Sequence, residues 1–412
     1  MKIVVDGIHG DIRPSDEEWS VVNTETFQRL RRLKQLQLAY LVYPNATHTR
    51  LAHSLGVLHV TSIALERFRA IYSDIEQDVI SDIRMAALLH DVGHYPYSHL
   101  LEDVDKVHLT EELGAEENTD QTLELVDSSL VDNRYPKHEN MGRQLIVERS
   151  DIREILGRER AETIGNYFSG DQITDVQITK LLHSSLDMDR MDYLLRDGQA
   201  TGVPYGQVDI HYLLNHIQRS PRGMLGFSLK ALPAAEHFLL ARAFHIRTVC
   251  QHKTVFGFEE AARQLLRRLK IRANSPEDGR PAYKVPANGS EIEALFLTNR
   301  SFMEFSDSWV DQIILAACDD KDPVVRSLAR CVAHRIPAKL LWEFKIFTDK
   351  QGGSDEKKKF MALVHNLISV SKQLNIDPGH FMAAVLKPAG FEKRGSMVYM
   401  KEAQADLRDN AA

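Results

Sequence analysis

Residues 88–99 read LLHDVGHYPYSH, which places three histidines and an aspartate within twelve positions. The run ISDIRMAALLHDVG (80–93) predicts a helix that leaves the core and is stopped by Gly93 and Pro96. His90 and Asp91 then stand at a helix terminus, where one helix end offers an imidazole and a carboxylate to the same cation. His94 follows His90 by one helical turn and is expected on the same face. A charged aspartate emerging from an apolar segment is costly unless it is paired or bound to metal.

A lone His-Asp dipeptide is common, and its plainest explanation is a helix end making local hydrogen bonds. Its company argues otherwise. HTRLAHSLG (48–56) adds Arg50 and His53 upstream, and SLDMDRMDYLLRD (185–197) adds Asp189 downstream. On that second segment Asp189, Tyr193 and Asp197 recur every four residues and share a helical face. Two imidazoles and two carboxylates suit a divalent cation of intermediate softness.

The whole chain of 412 residues is long enough for two or three domains. Hydrophobic residues at 43% and charged residues at 26% are ordinary for a globular protein. No stretch approaches the ~18 consecutive apolar residues of a membrane span, and the N-terminus lacks a signal-peptide pattern. Three widely spaced cysteines, Cys250, Cys318 and Cys331, form neither a disulfide framework nor a CxxC site. A cytoplasmic setting is therefore expected. The net charge of −7 argues against a chain-wide polyanion surface and leaves nucleic acid a disfavoured partner.

Helical spacing dominates 15–44, 48–72, 80–93, 138–148, 175–201 and the residues from Pro233 onward. Residues 1–12 read as a strand and turn, GMLGFSLKALPAAE (223–236) as a hairpin, and IPAKLLWEFKIF (336–347) as a strand. Residues 101–132 hold eleven acids and one lysine, which suggests an exposed insertion. The class is mainly α with a few strands.

NTETFQRLRRLKQLQLAYLVYPNATHTRLAHSLGV (23–57), LLHDVGHYPYSH, KHEN (137–140), MDRMDYLLRD (188–197) and ARAFHIRTVCQHKT (241–254) occur in a telling order. Together they resemble the HD-domain deoxynucleoside triphosphate triphosphohydrolases, the eukaryotic SAM-and-HD-domain dNTPase and its bacterial homologues. No SAM domain is visible ahead of the motifs. The resemblance implies an HD-type helical core over 1–270, with the acidic insertion inside it, and a smaller α+β lobe over 271–412. It implies hydrolysis of a dNTP to deoxynucleoside and inorganic triphosphate. Alternatives are an HD phosphohydrolase acting on another nucleotide or on single-stranded nucleic-acid ends, and a nucleotide-binding scaffold.

Matched position by position, His53, His90, Asp91 and Asp189 correspond to metal ligands, the metal being manganese, iron, magnesium, zinc or nickel. His94, His99 and His138 correspond to active-site histidines, with His138 as the acid-base group held by Glu139. Arg50 matches a phosphate-contacting arginine. Gln35, Tyr193 and Asp197 match residues around the sugar and base. Arg190, Arg242 and Lys253 match basic residues on the triphosphate side, the last two placed on one helix. The resemblance further implies a homo-oligomer (dimer, tetramer or higher) and leaves a nucleotide activator, GTP, another nucleotide or none, open. Two departures bear on this. Cys250 replaces a pocket tyrosine, and Asn23 replaces a guanine-reading aspartate while Gln28 and Arg31 remain.

Overall fold

The computed structural model describes residues 2–71, 75–105, 134–169, 178–184, 186–219, 224–273, 285–297, 302–339, 353–377 and 398–400. Most of the expected acidic insertion, and residues 340–347 of the expected strand, lie outside them.

The chain opens with an antiparallel hairpin, β1 (Val4–Asp6) and β2 (Gly10–Ile12), in which Val4 faces Ile12. Helix α1 (Asp16–Val22) follows behind a capping box, in which Ser15 and Glu18 satisfy each other's backbone N–H groups. The predicted helical run through residue 44 is broken. Thr24 recaps a single turn (Glu25–Gln28), and 3₁₀ turns follow at Arg29–Arg32 and Ala39–Leu41.

Helix α2 (Arg50–Ile71) is buried on nearly every side, with residues from Arg50 to Phe68 inside. It runs between two apolar cores. Leu51, Leu55 and Leu58 belong to one, shared with Met85, Leu88 and Phe305. Val57, Val60, Ala64 and Phe68 belong to the other, shared with Ile83, Met191 and Phe238. Helix α3 (Gln77–Leu89) packs beside α2 and divides its residues between the same cores. The start of α2 and the end of α3 both border the first core.

Helix α4 (His138–Glu148) packs on α5 (Arg158–Ser169), and α6 (Met188–Thr201) packs on α2. Asp187 caps the start of α6, and Gly202, at φ 73°, ends it in the left-handed region. Strands β3 (Ile217–Arg219) and β4 (Leu225–Ser228) form an antiparallel hairpin, with β5 (Val398–Met400) added parallel to β4. The predicted hairpin thus uses residues before Gly223 as its first strand, while PAAE enters helix α7 (Leu232–His245).

After α7 the backbone widens into a π turn (Ile246–Cys250) and breaks at Gln251–His252 before α8 (Lys253–Ala273). Arg242 and Lys253 consequently lie on different helices, contrary to expectation, because the π turn removes the common register. Helices α9 (Asp307–Ala317) and α10 (Pro323–Ala333) complete the larger core. Residues 336–339 are irregular and exposed, so they do not begin the predicted strand. The mainly-α class with a few short strands is as expected. Among the described residues no helix is long and apolar enough to cross a membrane.

Candidate metal centre and nucleotide pocket

Helix α3 ends at Leu89, and His90 is its C-cap. His94 is therefore in the loop beyond rather than on a continued helix face. The His90 Nδ1–H points at the Ala87 carbonyl, 2.8 Å away, which leaves Nε2 as the free lone pair. His53, from the first turn of α2, directs Nδ1 at the Asp192 carboxylate, 2.7 Å away. Its Nε2 faces His90 Nε2 at 3.2 Å. Two lone pairs at that distance repel, and a cation between them turns the repulsion into coordination.

Two carboxylates complete the arrangement. Asp189 Oδ1 lies 3.0 Å from His53 Nε2 and 3.9 Å from His90 Nε2. Asp91 Oδ1 lies 3.3 Å from His90 Nε2, and its Oδ2 lies 3.9 Å from His53 Nε2. His53, His90 and Asp91 keep their ligand atoms within 4.8 Å of one another. These three donors, with both imidazoles held in the tautomer a ligand needs, could hold a divalent cation, and Asp189 stands beside them. Burial lowers the basicity of His53, but Asp189 and Asp192 outweigh it and push its pKa up to about 10, so these carboxylates favour a positive charge here, whether a proton or a metal cation. Burial likewise raises Asp91, yet Arg50, His90 and His94 hold it well below the usual carboxylate range.

Arg50 does not reach into open space. It donates to Asp91 Oδ2 and to Ser98 Oγ and is nearly buried. Tyr97 and Ser98, both at positive φ, are held in place by this bond and by Asp307, which accepts from the Tyr97 N–H at 2.8 Å.

A second cluster adjoins the first through Asp91, whose Oδ1 lies 3.1 Å from His94 Nε2. His94 stacks on His138. His138 Nδ1 donates to Glu102 Oε2 at 2.9 Å, and His99 Nδ1 lies 3.1 Å from the same oxygen. Glu102 is buried, and these two histidines overcome its desolvation to hold it strongly ionised. The expected partner, Glu139, is farther from His138 at 3.3 Å and is half exposed, so Glu102 is the main anchor. It sits one turn after His99, a spacing that would have revealed it.

Along α6, Asp189, Tyr193 and Asp197 do share a face, rising about 6 Å per step. Asp197 accepts from His48 Nε2 at 2.8 Å and lies 3.1 Å from His245 Nε2. Tyr193 packs against His245, and Gln35 is tied to His48 through its backbone. Gln35 Oε1, His48 Nδ1, Arg242 Nε and His245 Nδ1 are buried without hydrogen-bond partners. Such unmade bonds are expensive in a finished core and ordinary in a ligand pocket. Cys250 Sγ lies 3.6 Å from His245 Nε2. Arg190 turns away to Asp187 and the Ser184 carbonyl, and Lys253 stands exposed at the start of α8.

Residues 50–196 match the HD domain family, and the chain carries an HD domain. It is 35% identical over 258 residues to an uncharacterized protein of Methanocaldococcus jannaschii, covering 62% of this chain and 47% of that one. The chain thus spans about half the length of that relative. It is 28% identical over 214 residues to the deoxynucleoside triphosphate triphosphohydrolase SAMHD1 homolog of Dictyostelium discoideum, covering 49% and 37% of the two chains. A phosphohydrolase from Bacteroides thetaiotaomicron shares the fold, with TM-score 0.67 and 24% identity, covering 92% of this chain and 84% of that one. At 24% identity the likeness to the solved structure shows the fold.

Proposed function

We propose that the protein hydrolyses deoxynucleoside triphosphates to deoxynucleoside and inorganic triphosphate. The observation that carries this is one helix face. Asp189 lies 3.0 Å from His53 Nε2, and one and two turns along α6, Tyr193 and Asp197 stand beside His245, one of several buried residues with an unpartnered polar atom. A phosphate at one end and a sugar at the other match that order.

His53, His90, Asp91 and Asp189 would hold a divalent cation, which when bound would supply Lewis acidity toward the phosphate. The chain's own residues do the rest. Arg50 and His94 fix the Asp91 carboxylate. Glu102 holds the Nδ1–H of His138 and leaves Nε2 to exchange a proton with the reacting groups. A water oxygen joins the α-phosphorus, the bond to the 5′-oxygen breaks, and that oxygen leaves with a proton. Tyr193, packed against His245, narrows the place of a 2′-hydroxyl, which favours a deoxy sugar.

Incubation of the purified protein with each dNTP and Mn²⁺ tests this. Triphosphate as the product supports it, and pyrophosphate or single phosphate overturns it. The latter outcome favours the second reading, a different phosphoester, which the exposed Cys250 beside His245 motivates. The same proposal includes a homo-oligomer and a nucleotide activator, checked by light scattering with and without nucleotides.

A further inference from the structure

We propose that the N-terminal hairpin is a working part of the metal centre, with His9 a positioning residue that acts on the cation through Asp192 and His53. This rests on His53 being a metal ligand, as in the proposed function.

Asp192 is fully buried, and both its oxygens are engaged. Oδ2 faces His53 Nδ1 at 2.7 Å and accepts from Arg196 Nε at 2.9 Å. Oδ1 faces His9 Nε2 at 2.7 Å and accepts from an Arg196 terminal nitrogen at 2.8 Å. The His9 side chain is 2% exposed although it comes from a surface hairpin. Asp6 sets its position. Its Oδ1 accepts the Ile8 and His9 backbone N–H groups, each at 3.0 Å, and its carboxylate also takes Arg196 at 2.8 Å. The turn between β1 and β2 is thus tied to the same arginine that grips Asp192.

Space has been made for this assembly. A Cβ on Gly56, one turn after His53, would fall 1.8 Å from Asp192 Oδ1 and 2.4 Å from Arg196. His59, a further turn along α2, packs on the His9 ring at 5.1 Å.

The charges explain the use. Arg196 and Asp6 offset each other, so Asp192 leaves one negative charge behind His53. A carboxylate accepting the outer N–H of a ligating imidazole fixes its tautomer and strengthens its donation to the metal. His9 holds that carboxylate on line from the side opposite His53.

The test compares His9→Leu with His9→Gln, since leucine removes the N–H donor and glutamine restores one. Mn²⁺ and Zn²⁺ affinities are measured by chelator competition, alongside the Tm of the metal-free protein. The expected result is a loss of about 10- to 100-fold in affinity for His9→Leu. Most of it returns in His9→Gln, and the two metal-free variants melt together. Wild-type affinity in His9→Leu, or no recovery in His9→Gln, overturns the proposal. A wild-type protein that binds neither ion instead overturns the metal-centre reading itself, so the two failures are distinguishable.

Discussion

The imidazoles of His94 and His138 stack with centroids 4.0 Å apart and planes 17° from parallel, one from the loop after α3 and the other from the first turn of α4. Gly93 permits this approach. A Cβ there would lie 2.1 Å from the His138 carbonyl oxygen and 2.3 Å from the Gly142 nitrogen. Both obstacles are backbone and cannot swing aside. Gly93→Ala is therefore expected to cost about 1–3 kcal/mol, as overpacking does, and to separate the two rings. Urea unfolding checks the first effect and the rate of nucleotide hydrolysis the second.

Asp91→Asn keeps the shape of the side chain and removes its charge from both clusters. Bound metal should fall and hydrolysis drop below about 1% of wild type, with the helical circular dichroism retained. Wild-type metal content in this variant would show that Asp91 is not a ligand.

Glu102→Gln leaves the His53–His90–Asp91 group intact and loosens His138 and His99. Metal content should stay at the wild-type level while the rate falls about 10²- to 10⁴-fold, the usual contribution of acid-base catalysis. Loss of metal together with rate would mean that the two clusters are not separable.

Lys270 is fully buried, pairs with Asp105 at 2.8 Å and lies 3.8 Å over the Tyr135 ring. Burial raises the Asp105 pKa and lowers that of Lys270, so neither ion gains from being there. Lys270→Met should cost about 3–5 kcal/mol by stranding Asp105, and adding Asp105→Leu should recover most of it. Denaturant midpoints of the two variants decide.

The pair of Asp197 and His245 makes a prediction in pH. Burial opposes both charges, but the partners prevail. Asp197 goes down to about 2, and His245, beside Cys250 and Asp197, goes up to about 10. A histidine raised in the folded state stabilises fully below its ordinary pKa of 6.5 and loses that contribution as pH rises toward about 10. The aspartate's contribution is present above 3.8 and is lost as pH falls toward about 2. The Tm difference between wild type and His245→Leu should therefore be widest between pH 4 and 6.5 and shrink on the alkaline side. A difference that is flat to pH 10 would contradict the pairing.

The candidate metal ligands were legible because short motifs carry them. LAHS, LLHD and MDRMDY each fix a side chain at a helix end or on a helix face, and helices hold their register. Asp192 was visible in the same motif yet passed over, since nothing local says that an aspartate three residues after a ligand will hold another ligand's outer nitrogen. His9, His48 and His245 act across the fold, and hydrogen bonds between distant segments leave no periodicity to read, whereas Glu102 follows His99 by one turn and was overlooked. The break between Arg242 and Lys253 was hidden for a different reason. A π turn keeps the composition of an α-helix while changing the direction of every side chain after it.

Asp307 accepts the backbone N–H groups of Lys34 and Tyr97, and Arg29 joins the Phe305 carbonyl to that of His94. The consequence is one of timing. A chain emerging from the ribosome presents its histidines early, but the struts that shape the loop between them arrive some two hundred residues later. Domains generally fold as units during synthesis, so the loop between the candidate ligands takes its final shape only after Phe305 and Asp307 have been made.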